Sequence, residues 1–233
     1  MLFREENLPQ EIKSIVTNLP FRMGNVNCYL VSTGQGFVLI DTGSLSGEAV
    51  LDKELERAGC QPGELNLILL THGDFDHIGN AAHLREKFHT RIAMHKADSV
   101  MAENGDMFGS RQKANNILTK KLVPFFFGFN KKHRFSPDLF VDEGDNLVDF
   151  GLEAKVLHLP GHSKGSIGVL MASGDLFCGD LLESSKRPSL NSLIDDLEDA
   201  KNSLEKLKSL DIKMVYPGHG KPFEMASFLK SVS

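Results

Sequence analysis

Between Thr71 and Asn80 the chain reads Thr-His-Gly-Asp-Phe-Asp-His-Ile-Gly-Asn, which places His72, Asp74, Asp76 and His77 within six positions. Imidazole nitrogens and carboxylate oxygens are the donors that zinc, manganese and iron accept, so this density of them predicts a metal site. The apolar run at 67–70 reads as a buried strand and 80–88 as a helix, and α/β folds carry their ligand sites at such strand ends. The competing reading is an Asp-rich turn that merely caps a helix, since short motifs arise by accident. It loses ground because other His and Asp residues sit in the same setting. Pro160-Gly161-His162 follows the apolar Val156-Leu157, Gly179-Asp180 follows Leu176-Phe177-Cys178, and Pro217-Gly218-His219 follows Met214-Val215-Tyr216. Each is a strand running into a metal-competent side chain.

On these residues the chain resembles the metallo-β-lactamase superfamily, whose pattern is H-x-H-x-D-H followed by a distant His, an Asp and a last His. The resemblance extends to Asn27-Cys28-Tyr29-Leu30-Val31 and Val38-Leu39-Ile40-Asp41-Thr42-Gly43 and so spans most of the chain. It implies an α/β fold, an αββα sandwich of two packed mixed sheets with outer helices. It also implies two divalent metal ions, with zinc leading and manganese or iron as alternatives. By resemblance His72, Asp74 and His162 hold the first ion, Asp76, His77 and His219 the second, and Asp180 bridges them. Asp76 and Asp180 become the catalytic carboxylates, and Asp41 lies beneath the metal loop and orients a ligand. Turn chemistry alone reads Asp41-Thr42-Gly43 equally well as a plain Asx turn. One position departs from the pattern: Asp74 stands where the family has its second His, giving H-x-D-x-D-H. A carboxylate there hardens the first site and favours manganese or iron more than a nitrogen-rich site would. Two similar groups also carry a carboxylate there, the flavodiiron proteins Glu and the competence-type nuclease domains Asp.

The elements that must position these residues follow from pattern. Residues 12–19, 26–32 and 36–40 read as strands of an opening meander, 46–58 and 192–210 as outer helices, and 222–230 as a closing helix. In the helix over 192–210, Leu193, Leu197, Ala200, Leu204 and Leu207 form the apolar stripe, with Ser192 and Asp195 in capping-box positions. Residues 140–141, 153–157, 167–172 and 176–178 read as strands of a second sheet. With 233 residues, 41% of them hydrophobic, one domain over 1–233 is expected. It carries a helical and aromatic insertion at about 98–137, with helical character over 111–122. There Phe125, Phe126, Phe127 and Phe129 demand burial, in a satellite core or homodimer contact ahead of a substrate pocket. Phe126, Phe129 and Lys164 are the candidate substrate contacts. His83, His89, His95 and His158 are assigned to packing or surface, the motif positions being filled.

A net charge of −5 and a pI near 6.0 exclude a general polyanion binder, so neither nucleic acid nor a membrane surface is expected as partner. Cys28, Cys60 and Cys178 lack metal or redox spacing and read as buried free thiols. No apolar run reaches the ~20 residues that span a bilayer, and a cytoplasmic location is expected. The resulting expectation is a metal-dependent hydrolase. Two cations lower the pKa of a shared water that attacks a small ester, thioester, lactone or phosphodiester. Glyoxalase II and flavodiiron activities weaken, because the chain does not continue into their additional domains. Two alternatives remain open: a diiron oxygen or nitric oxide reductase fed by an external donor, and a non-catalytic binding module with a degenerate site.

Overall fold

The computed structural model describes residues 10–111 and 125–232. The helix expected over 111–122 lies outside them, Arg111 excepted. Strands β1 (Glu11–Asn18), β2 (Asn25–Thr33) and β3 (Gly36–Ile40) form the antiparallel meander. Strands β4 (Leu65–Leu69), β5 (Ile92–Met94) and β6 (Leu139–Phe140) extend it in parallel, giving a six-stranded sheet in chain order. The second sheet runs β13-β12-β9-β8-β7, from β7 (Ala154–His158), β8 (Ile167–Met171), β9 (Asp175–Gly179), β12 (Met214–Pro217) and β13 (Phe223–Glu224). A small pair, β10 (Leu182–Glu183) and β11 (Ser189–Leu190), stands apart.

Alternation along the strands explains the layering. Successive side chains of a strand face opposite ways, so a strand buried on both faces is apolar throughout and splits its residues between two cores. Tyr29, Val31, Val38, Ile40, Leu67 and Leu69 pack with Val156, Ile167, Val169 and Phe177 of the second sheet. Their neighbours Leu30, Leu39 and Ile68 pack outward against Leu51 and Leu55 of α1 (Glu48–Arg57) and Leu84 and Phe88 of α3 (Ala81–Phe88). On the far side Leu157, Leu170, Leu176 and Val215 meet Ala200, Leu204 and Leu207 of α5 (Leu197–Lys208) and Phe228 of α6 (Met225–Val232). Helix, sheet, sheet, helix is the αββα order.

Three sequence expectations shift. The helix read from Ser192 begins at Leu197, because the Asp196 carboxylate accepts the Glu198 and Asp199 N–H groups and sets the N-cap there. Leu193 and Leu197 are consequently exposed and leave the buried stripe. The closing helix over 222–230 loses its start to β13, which pairs with β12. In the aromatic segment, Phe129 is buried and stacks on Phe75 at 4.4 Å between centroids, whereas Phe125 and Phe126 are exposed. Phe129 therefore belongs to the core and not to a substrate surface. Cys28, Cys60 and Cys178 are free and buried. Among the described residues no helix is long and apolar enough to cross a membrane.

Candidate metal centre

The strand ends converge. Behind β4, Asp74 takes the extended N-cap position of the short α2 (Phe75–Ile78), yet its side chain makes no capping bond. The helix-cap reading of this turn therefore fails for Asp74, whose carboxylate faces His162 and Arg111 instead. His162 comes from the turn after β7, Asp180 follows β9, and His219 follows β12. The second sheet is thus brought to the mouth of the first.

Asp41 anchors the metal loop. It adopts a left-handed backbone, φ 59°, which an Asp tolerates better than most side chains. Its carboxylate accepts from the Thr71 N–H and hydroxyl, each at 2.8 Å, and from His77 Nδ1 at 2.9 Å. These bonds leave the Asx-turn reading behind. Because the Thr71 hydroxyl donates to Asp41, its oxygen accepts from His72 Nδ1 at 2.9 Å. His219 Nδ1 likewise donates to the Asn25 carbonyl at 2.7 Å. In all three rings the Nδ1 proton has an acceptor, so Nε2 is the nitrogen presented to the site.

The donors then meet at ligand spacing. His77 Nε2 lies 3.5 Å from Asp180 Oδ1 and 4.0 Å from Asp76 Oδ2, and His219 Nε2 lies 3.2 Å from Asp180 Oδ2 and 3.4 Å from Asp76 Oδ2. Two ligands of one tetrahedral ion stand about 3.4 Å apart for bonds near 2.1 Å, so Asp76, His77, His219 and Asp180 fit a divalent cation. His72, Asp74 and His162 form a neighbouring set, with His72 Nε2 3.7 Å and His162 Nε2 3.1 Å from Asp74 Oδ2. Asp180 Oδ2 also comes within 4.0 Å of His162 Nε2 and so reaches both sets. His72 Nε2, His77 Nε2, Asp74 Oδ1 and Asp180 Oδ1 are buried with no hydrogen-bond partner among the described residues. Buried polar atoms without a partner are costly, and cations held in the two sets would satisfy these four.

Electrostatics point the same way. Burial pushes the His219 imidazole down, but Asp180 and Asp76 override it and raise it to about 12. Burial also opposes the His77 proton, and Asp180, Asp41 and Asp76 raise that ring to about 9. His72 goes the other way, held well below the usual range by burial and then by His77 and His162. The Asp76, His77, His219 and Asp180 set thus draws positive charge.

Sequence reasoning did not find two side chains here. Arg111 Nη2 donates to Asp74 Oδ2 at 2.7 Å and to His162 Nε2 at 2.8 Å. Asp98, fully buried, accepts from Gly73 N–H, Ser110 hydroxyl, Ser163 hydroxyl and Gly165 N–H, tying both loops of the first set together. Neither lies in a motif, and a lone Arg or Asp in an insertion carries no spacing signal. Lys164 is exposed and Phe126 packs edge-on against Phe21. Neither lines the cavity of about 700 Å³ above the site, whose wall instead includes Phe127, Met107 and Ile194. His95 and His158 stack at 4.5 Å beside Asp142. His95 Nδ1 accepts the Ala97 N–H as a helix N-cap, and His158 Nε2 donates to the Lys164 carbonyl at 2.9 Å.

A two-sheet sandwich with a His and Asp cluster at its strand ends defines a metal-binding hydrolase scaffold. The chain belongs to the metallo-beta-lactamase superfamily, whose family model matches residues 22–219. It is 30% identical to "Probable metallo-hydrolase YqjP" of Bacillus subtilis, over 91% of this chain and 72% of that protein. It is 31% identical to the hydroxyacylglutathione hydrolase GloC of Haemophilus influenzae, over 70% of each chain. Among solved structures, TTHA1623 in a di-iron-bound form shares 30% identity with a TM-score of 0.65, covering 91% of this chain and 96% of that one.

Proposed function

We propose that the protein is a metal-dependent hydrolase of a small ester, thioester, lactone or phosphodiester that carries an apolar portion. The observation that carries this reading is the gathering of His72, His77 and His219 around Asp180, which with His219 lines an apolar-walled cavity. Divalent cations bound there supply Lewis acidity and lower the pKa of a coordinated water. The chain's own residues do the rest. Asp41, Thr71 and the Asn25 carbonyl hold three imidazoles in one tautomer, and Asp180 spans the two donor sets. Phe127, Met107 and Ile194 give the substrate's apolar part a surface and exclude water from the reacting face. The thioester class gains support from the similarity to a hydroxyacylglutathione hydrolase.

The test is a panel of aryl esters, acyl thioesters, lactones and aryl phosphodiesters, with protein reconstituted separately with zinc, manganese and iron. Hydrolysis that a chelator abolishes and the metal restores is expected. No turnover across the panel with a fully loaded protein would overturn the reading. The carboxylate at position 74 and the similarity to a di-iron structure favour a second reading, redox chemistry at an iron pair fed by an external donor. Repeated turnover of oxygen by the iron-loaded protein supplied with a chemical reductant, without ester hydrolysis, would select it.

A further inference from the structure

We propose that Arg111 is a built-in cation that holds the first donor set against metal. The chain then takes one divalent ion tightly at Asp76, His77, Asp180 and His219 and admits a second only when the guanidinium leaves Asp74. This rests on the metal-centre reading above.

The hydrogen bonds carry the argument. Nη2 of Arg111 engages Asp74 Oδ2 at 2.7 Å and His162 Nε2 at 2.8 Å, two of the three donors of the first set. An unprotonated imidazole nitrogen has one lone pair, which cannot serve a guanidinium and a metal ion at once. Both partners of the ion pair are withdrawn from water, with side-chain exposures of 11% for Arg111 and 7% for Asp74. Surface screening therefore does little to weaken it.

The arginine is also fastened in place. The adjacent Ser110 donates to Asp98 Oδ1 at 2.8 Å. The same carboxylate accepts from Gly73, between His72 and Asp74, and from Ser163, next to His162. One buried side chain thus sets the position of the metal loop, the His162 turn and the backbone that launches Arg111. The residue at 74 fits this arrangement: an imidazole would offer the guanidinium no charge, whereas a carboxylate pairs with it. Asp74 and Arg111 form one device. Among the described residues no Lys or Arg pairs with Asp76 or Asp180, whose ion-pair partners are imidazoles.

The test is metal stoichiometry. Ion-free wild type, Arg111→Gln and Arg111→Lys are titrated with Mn²⁺ and with Zn²⁺ by calorimetry, and elemental content is measured after desalting. Wild type is expected to keep one ion and to bind the second at least about tenfold more weakly, a conservative figure for like charges meeting at a buried site. Arg111→Gln should tighten the second ion at least about tenfold and leave the first unchanged. At two Mn²⁺ equivalents it should show the electron-spin coupling of an adjacent pair. Arg111→Lys, which keeps the charge, should resemble wild type. Two ions held equally tightly by wild type would overturn the proposal, as would an Arg111→Gln protein that still keeps one. The affinity gap in unmodified protein decides the matter if Arg111→Gln does not fold. Protein that retains no ion in any form would overturn the metal-centre reading, and this inference with it.

Discussion

His77 and His219 carry protons that a cation bound at the candidate site would displace. Their ion-free values of about 9 and about 12 lie above the ordinary 6.5, the carboxylates around them outweighing burial. At pH 7 both rings are protonated, so uptake of an ion releases about two protons and apparent affinity climbs as pH rises towards 9. Calorimetry in two buffers of different ionisation enthalpy measures this directly, and an absence of proton release would contradict the assignment of these rings as ligands. The sign reverses for the ion-free fold. Raised values stabilise it fully below pH 6.5, and that contribution is lost as pH rises through 9 and then 12. Asp41 acts through His77, whose Nδ1 it fixes. Asp41→Asn is expected to weaken ion binding about 10- to 100-fold, read by competition with a chelating dye. Unchanged affinity would show that the Thr71 contacts alone orient the loop.

At the scale of elements, the site depends on turns that press against one another. Gly218 follows β12, and a Cβ there would lie 2.1 Å from Asp180 Oδ1 and 2.7 Å from His77 Cε1. Only glycine lets this strand end approach the carboxylate. Gly218→Ala should displace Asp180, lower stability by about 1–3 kcal/mol and weaken the tightly held ion; a crystal structure with Asp180 unmoved would refute this. The turn is clamped from the other sheet, where Tyr29 hydroxyl and Asn27 side chain donate to the Pro217 carbonyl at 2.6 and 2.9 Å. On the opposite side Asp98, at the start of α4 (Lys96–Asn104), joins the metal loop to the His162 turn. Asp98→Asn turns one acceptor oxygen into a donor facing other donors, and about 2–4 kcal/mol of stability should be lost, measurable by urea denaturation. A loss below about 0.5 kcal/mol, typical of surface changes, would mean that the loops hold without it.

Across the whole molecule, the candidate ligands come from both sheets. The metal loop extends β4 of the first, while His162, Asp180 and His219 extend strands of the second. An ion held there would fasten one layer to the other and would bind the folded chain only. At a free concentration 100 times its dissociation constant it should add about 2.7 kcal/mol, and chelation should lower the melting temperature by roughly 5–10 °C. Equal melting with and without chelator, for protein shown to contain metal, would place the ion outside this junction.

The local pattern of the chain determined a great deal. Runs such as Val38-Leu39-Ile40 and Leu67-Ile68-Leu69 are apolar at every position, which requires a sheet covered on both faces. The His and Asp residues following such runs mark the strand ends where donors collect, because side-chain type and strand position are local properties. Tertiary structure decided what was long-range. Arg111 reaches Asp74 from 37 positions away, and Asp98 reaches Ser163 from 65. No periodicity links such pairs, since their contact depends on how the chain folds back and not on what neighbours each residue. The same holds for the phenylalanine run. Its composition demanded burial, but only packing against Phe75 could send Phe129 into the core, set Phe127 on the cavity wall and leave Phe126 at the surface.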